Sequence, residues 1–366
     1  MKNACSMKKA GREMSVPARF GTPRTGRCYC TRSQPGKITY SCKRPRIAAA
    51  ACLALLCVFS SSAPALAATV VEAQPLDVCA SFNAMAELAK LVGDNLVNVS
   101  TFAEGATEPH EFEPGVRELG KLSKAELFIT SGLGMEPWAE RAVRAAGNKD
   151  LKLVVCSEEL KGVALHNTTT SGHRSPDRAF DPHLWLSPKG AAQECEKIKE
   201  AFCEARPDQC HVFEANYQNF AQNMQQLLKT TRASLEQARQ HTIVTAHAAF
   251  SYLAADLGLT ELSVRDAWAG PEPGARKMAE LIREIKKLGL KVIFTEAQSN
   301  PALAKTLANE CQAKVEYLYT METAEGGLDF TRRMEENLNQ IRKALVPASL
   351  VSQKSGHSEQ SEQLEQ

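Results

Sequence analysis

The chain has 366 residues, of which 43% are hydrophobic, 23% charged and only 6% aromatic. This composition fits a globular protein of two domains and excludes a fibre or a wholly disordered chain. The net charge of +2 conceals an asymmetry, because residues 1–67 hold 12 of the 44 Lys and Arg and a single acid, Glu13, leaving 32 basic against 41 acidic residues, or −9, from Ala68 onward. A body that acidic is poorly suited to neutralising nucleic-acid phosphates and well suited to cations.

The basic stretch reads as a targeting segment. Lys43, Arg44 and Arg46 precede an apolar run from Ile47 to Phe59, and Ala65-Leu66-Ala67 supplies small residues for cleavage. The pattern is that of a secretory signal peptide cut after Ala67, with an N-terminal membrane anchor as the alternative. The apolar run, about a dozen residues, falls short of the ~20 that span a bilayer. Met7 or Met14 could serve as the start, and a freely soluble exported protein is expected.

Past Ala68, short apolar runs alternate with helical patterns. Strands are expected at Leu76–Ala80, Val97–Phe102, Leu127–Thr130 and Leu151–Val155, with helices at Ala84–Val92 and Leu119–Lys124. In the second half, Thr242–Thr245, Leu262–Val264, Val292–Thr295 and Val315–Leu318 read as strands, and Ala275–Leu288 and Ala302–Cys311 as helices. Such alternation argues for parallel sheets flanked by helices, an α/β fold. Between the halves, Asp208–Gln240 has no Pro or Gly and reads as one long rigid helix joining two lobes, or as two helices broken near Thr230 and Thr231. The expected organisation is an extension and signal peptide over 1–67, an N-terminal lobe over 68–207, the connecting helix over 208–240, a C-terminal lobe over 241–347 and a disordered tail over 348–366. Leu165–Arg178, rich in Thr, Ser and Gly, is expected to be a surface loop.

Six cysteines follow Ala68: Cys79, Cys156, Cys195, Cys203, Cys210 and Cys311. None form a CxxC pair, which argues against a thiolate zinc cluster, while export permits one local disulfide among Cys195, Cys203 and Cys210. GxSxG, HExxH and a glycine-rich phosphate loop are absent from the sequence, and Gly132-Leu133-Gly134 lacks the third glycine of a dinucleotide fingerprint.

Three histidines stand in unusual surroundings. His110 lies in Glu108-Pro109-His110-Glu111-Phe112-Glu113-Pro114, His183 in Asp181-Pro182-His183-Leu184-Trp185, and His247 in Thr245-Ala246-His247-Ala248-Ala249-Phe250. Their spacings of 73 and 64 residues form no local metal motif. Two of them follow expected strands, however, and open α/β sheets bind ligands at the carboxyl ends of their strands. Three neutral imidazoles meeting between lobes would suit a borderline divalent metal, zinc first. His166 and His173 fall in the polar loop, and His211, His241 and His357 have no supporting context.

These segments, with Ser131-Gly132-Leu133-Gly134-Met135-Glu136-Pro137-Trp138, Pro271-Glu272-Pro273-Gly274 and Phe294-Thr295-Glu296-Ala297-Gln298, resemble the zinc and manganese solute-binding proteins of ABC importers over almost the whole chain after residue 67. The resemblance implies two α/β lobes tied by one long helix, a metal held in the cleft by His110, His183 and His247, and delivery of Zn²⁺ to a membrane permease and its ATPase. Manganese binders of the family usually carry Glu at the third position, so His247 points to zinc, with manganese or iron as the alternative. The family commonly supplies an Asp as fourth donor where ungapped extension puts Tyr319, leaving water or Glu322 for that role. It further implies a monomer that carries cargo without catalysing a reaction. A zinc hydrolase would need a general base, for which Glu322 or Glu296 stands in the sequence, and a surface adhesin finds no adhesive repeat.

Overall fold

A computed structural model of the protein describes residues 74–105, 109–158, 160, 180–265, 273–297, 300–324 and 327–347. The expected signal peptide, the Leu165–Arg178 loop with His166 and His173, and the 348–366 tail with His357 lie outside the described residues.

The first sheet contains β1 (Leu76–Ala80), β2 (Val97–Thr101), β3 (Leu127–Thr130) and β4 (Lys152–Val155), in the order β2-β1-β3-β4 and wholly parallel. The second contains β5 (Thr242–His247), β6 (Thr260–Arg265), β7 (Val292–Glu296) and β8 (Lys314–Leu318), also parallel, in the equivalent order β6-β5-β7-β8. Every residue of β3 is buried, as expected where helices cover both faces of a parallel sheet. In both sheets the strand order reverses beside the first strand, and there the carboxyl ends of adjacent strands splay loops apart to leave a crevice.

The helices are α1 (Asn83–Gly93), α2 (Val116–Leu122), α3 (Ala139–Ala146), α4 (Pro188–Ala205), α5 (Cys210–Leu235), α6 (Ser251–Leu257), α7 (Ala275–Leu288), α8 (Ala302–Cys311) and α9 (Phe330–Leu345). Helix α2 starts three residues before the expected Leu119, with the Gly115 N–H donating to Glu118 Oε2 at 3.0 Å across its first turn. Helix α4 was not expected, yet Ser187-Pro188 is a helix start: Ser187 Oγ accepts the Gly190 N–H at 2.9 Å, and Pro occupies the first turn, where its missing N–H costs nothing.

Helix α5 occupies the stretch between the two sheets and runs unbroken through Thr230 and Thr231 for 26 residues, ~39 Å at ~1.5 Å per residue. It is shorter than Asp208–Gln240 because Pro207–Gln209 forms a separate 3₁₀ turn and the chain leaves the helix after Leu235 to enter β5. Among the described residues no helix is long and apolar enough to cross a membrane.

Cys203 and Cys210 form a disulfide joining the ends of α4 and α5, while Cys79, Cys156, Cys195 and Cys311 are free and buried. The main core draws on both halves of the chain: Leu76, Phe82, Leu88, Trp185 and Phe202 belong to the same cluster as Phe250, Phe294, Leu318, Phe330 and Ile341. Helix α9 returns from the second sheet to pack on α5 and α1.

The Gly132-Leu133-Gly134 segment serves the fold. All three residues have positive φ (91°, 52° and 86°), and a Cβ on Gly132 would lie 2.2 Å from Ser157 Oγ. The turn lets the N–H groups of Ser131 and Gly132 donate to the buried Glu136 carboxylate at 2.9 and 3.0 Å, with Ser81 Oγ donating at 2.7 Å. Glu194 of α4, which accepts from Ser131 Oγ at 2.6 Å, is fully buried, and desolvation with the nearby Glu136 charge pushes its carboxyl up to about 8.

Glu194 therefore keeps a proton in the folded protein that the unfolded chain releases above its ordinary value of 4.5. Its contribution to stability is complete below that value and is lost as pH rises toward 8. Thermal unfolding of the metal-free protein should show a melting temperature several degrees lower at about pH 8 than at about pH 5, and Glu194→Gln should flatten that slope.

Candidate metal centre

The three candidate histidines all stand at the carboxyl edges of the sheets. His247 is the last residue of β5, paired with Arg265, and so lies inside the strand, two residues beyond the expected end at Thr245. The neighbouring strand at the point of reversal, β7, ends on Glu296. His183 precedes the short Leu184–Leu186 turn that leads into α4, and His110 sits in the Pro109–Glu111 turn beyond β2. All three are buried, His183 completely.

Each position has a local cause. The Trp138 indole N–H donates to Pro109 O at 3.0 Å, and Trp138 stacks on Phe102 with centroids 4.9 Å apart. The turn carrying His110 is thereby tied to the aromatic cluster of the first lobe. Asp181 Oδ1 receives the His183 backbone N–H at 2.9 Å and lies 2.7 Å from His183 Nδ1. This fixes the tautomer with the proton on Nδ1 and directs the Nε2 lone pair away from Asp181. Asp181 itself is held from the second half of the chain, where Ser251 Oγ donates to Oδ2 and Tyr252 OH donates to the backbone oxygen at 2.8 Å.

His183 and His247 are brought together, their ring centroids 5.0 Å apart and nearly perpendicular. His247 Nδ1 faces Glu296 Oε1 at 3.8 Å, an electrostatic approach longer than a hydrogen bond. Both imidazoles thus turn Nδ1 toward a carboxylate. His183 Nε2 and both Glu296 carboxylate oxygens, all buried, have no hydrogen-bond partner among the described residues. Buried polar atoms without partners are costly, and a cation beside them would remove that cost.

The charges agree. Burial opposes ionisation of Asp181, but His183 and the donated hydrogen bonds outweigh it and hold the carboxyl below its usual range. Burial likewise opposes protonation of His183, and Asp181, then Glu322 and Glu261, outweigh it and raise the imidazole. Glu261, a residue of intermediate exposure whose carboxyl group faces buried neighbours, accepts from Thr245 Oγ1 at 2.7 Å and Phe250 N at 3.2 Å, and desolvation pushes it up to about 8.

Tyr319, which stands where ungapped extension puts the family's Asp, and Glu322 have different surroundings. Tyr319 is pinned by its backbone, which exchanges hydrogen bonds with the Asn337 side chain at 2.8 Å, and its ring packs against the main core. Glu322, beyond the end of β8, is buried, receives a hydrogen bond from Thr320 Oγ1 at 2.9 Å and acts electrostatically on His183. Glu322, the protein alternative to water expected from the sequence, lies three residues beyond the position reached by ungapped extension. His211 and His241 are exposed. Among the described residues no three His, Cys, Asp or Glu donors are gathered tightly enough to hold an ion as they stand.

Comparison with known proteins decides the family. Residues 78–344 match the zinc-uptake complex component A periplasmic family, ZnuA. The chain belongs to the ZnuA family. A Treponema pallidum protein named for metal binding is 31% identical over 280 residues, 75% of this chain and 89% of its own. The zinc-binding protein AdcA of Streptococcus pyogenes is 30% identical over 308 residues, 79% of this chain, and the chain spans 60% of that relative's length. A zinc-bound variant of AdcAII of Streptococcus pneumoniae superimposes with a TM-score of 0.68 at 25% identity, covering 74% of this chain and 99% of that one. The two-lobe ZnuA-type fold, each lobe a parallel sheet flanked by helices, is therefore the fold of this chain.

If Asp181 orients His183, Asp181→Asn should weaken zinc binding ~10- to 100-fold while leaving the circular dichroism of the fold unchanged, as measured by competition with a chromophoric chelator.

Proposed function

We propose that the protein captures Zn²⁺ outside the cytoplasm with His110, His183 and His247 and hands it to an ABC permease driven by its ATPase. The observation that carries this reading is the pair of imidazoles at the seam between the sheets, each backed by a buried carboxylate, in a chain of the ZnuA family. A histidine-rich donor set favours zinc over manganese, which prefers carboxylate oxygen. Glu322 is the fourth donor in this reading, and the shell is completed when His110 and Glu322 are drawn onto the His183–His247 pair. The role is binding and delivery, and no catalytic step is needed.

The protein reaches its compartment through the 43–67 signal, cleaved after Ala67, and acts as a monomer. Its lobes comprise residues 68–207 and 241–347, with 208–240 between them. The acidic body, at −9 from Ala68 onward, favours approach of the cation.

Calorimetric titration of the metal-stripped protein from Ala68 should give tight one-to-one Zn²⁺ binding and far weaker Mn²⁺ binding, with the zinc isotherm collapsing in His247→Ala. Preference for Mn²⁺, or an unchanged isotherm in the variant, would contradict the assignment.

A further inference from the structure

Glu322 is carried by the C-terminal part of the chain, but the segment around it is fastened by side chains of the N-terminal part. The Trp185 indole N–H donates to Thr320 O at 2.8 Å. Asn83, the first residue of α1, divides its amide N–H groups between Met321 O at 3.2 Å and Thr323 O at 3.1 Å, with Glu87 Oε1 at 3.3 Å. Three of the four carbonyls from Thr320 to Thr323, all but that of Glu322 itself, are therefore anchored across the seam. The anchor is itself braced: Arg333, fully buried on α9, donates to Thr323 O at 2.9 Å and pairs with Glu87 of α1.

The backbone between these bonds is unusual. Met321 has φ 61°, in the left-handed region that an unbranched non-glycine residue enters at an energetic cost. Such a conformation persists where its surroundings over-determine it, and here the hydrogen bond from Asn83 to Met321 O falls on the strained residue itself. Met321 directly precedes Glu322, so the conformation held there sets the backbone from which the carboxylate projects.

We propose that Asn83 is a positioning residue for the metal: by holding the strained Thr320–Thr323 arm it sets Glu322 in donor position, so that zinc affinity depends on a contact between lobes that touches no metal. The inference rests on the reading of Glu322 as a donor. Separating the lobes loads the arm between its Asn83 and Trp185 bonds and its own lobe and so disturbs Glu322, which couples lobe movement to release of the ion.

The test is a double-mutant cycle on the protein from Ala68, with Asn83→Ala and Glu322→Gln singly and combined. Zinc affinity and dissociation rate are read by chelator competition, and the visible absorption of the Co²⁺-loaded protein reports the donor set. Asn83→Asp keeps the size of the side chain but turns its donors into a carboxylate that repels Met321 O, Thr323 O and Glu87, and unchanged circular dichroism of both variants guards against a folding defect. The expected result is about a tenfold loss of affinity in either Asn83 variant, mostly through faster dissociation, a Co²⁺ spectrum shifted toward that of Glu322→Gln, and less than a twofold further loss when Asn83→Ala is added to Glu322→Gln. An equal loss in both backgrounds, or an unshifted Co²⁺ spectrum in the Asn83 variants, would overturn the positioning role. A Glu322→Gln protein with native affinity and spectrum would instead overturn Glu322 as a donor, and the inference with it.

Discussion

An ionised carboxylate in a dry place must be answered by nearby donors, and Asp181 is the residue on which this site depends. Fully buried, it is stabilised by its own loop through the His183 backbone and imidazole and by the opposite half of the chain through Ser251, while Tyr252 holds its backbone oxygen. The cost of burying one charge in low dielectric is thus shared between lobes. That sharing fixes the His183 ring, its tautomer and the spacing of the lobes together, because moving any one of them would strip Asp181 of a partner.

The sheets explain why His183 and His247 meet. In each lobe the strand order reverses beside the first strand, so the loops at the carboxyl edge diverge and leave a crevice. His247 and Glu296 end adjacent strands at the reversal in the second sheet, and His110, His183 and Glu322 follow β2, β4 and β8. Candidate donors more than 200 residues apart in sequence are thereby placed beyond the carboxyl ends of strands in two sheets of equivalent order.

Much of this was legible where the determinants are local. Leu76–Ala80, Leu127–Thr130, Ala275–Leu288 and Ala302–Cys311 fall where apolar runs and helical spacing put them, and Gly289, at φ 67°, closes α7 in the left-handed conformation that favours glycine. His110 and His247 stood out by the strands before them and His183 by its motif, and the structure brings His183 and His247 together. Helix α4 went unread although Ser187-Pro188 announces it. The extent of α5 could not be read, since no Pro or Gly ends it and the packing of Leu235 against the core does. The Asn83, Glu87 and Arg333 brace was invisible for a simpler reason: its ion pair joins residues 246 apart and each member looks like an ordinary polar residue of a helix.

The two lobes share a strand order but fasten their donors differently, and the difference bears on how an ion could be both held and released. His247 belongs to a strand whose neighbours, β6 and β7, lock it into its own sheet. It can approach His183 only as the lobe approaches. Glu322 belongs to a short arm whose strongest ties run to the other lobe, through Trp185, Asn83 and the Arg333–Glu87 pair. A tilt that separates the lobes acts on these two donors unequally: the strand moves as a rigid part, whereas the arm must either stay with the N-terminal side chains or fall out of its strained turn. A core continuous across the seam, from Trp185 to Phe330, resists large tilts. Small movements of a strained, hydrogen-bonded arm are consequently a cheaper way to change the number of donors than opening the whole cleft, and such an arm can respond to a docked partner without unfolding either sheet.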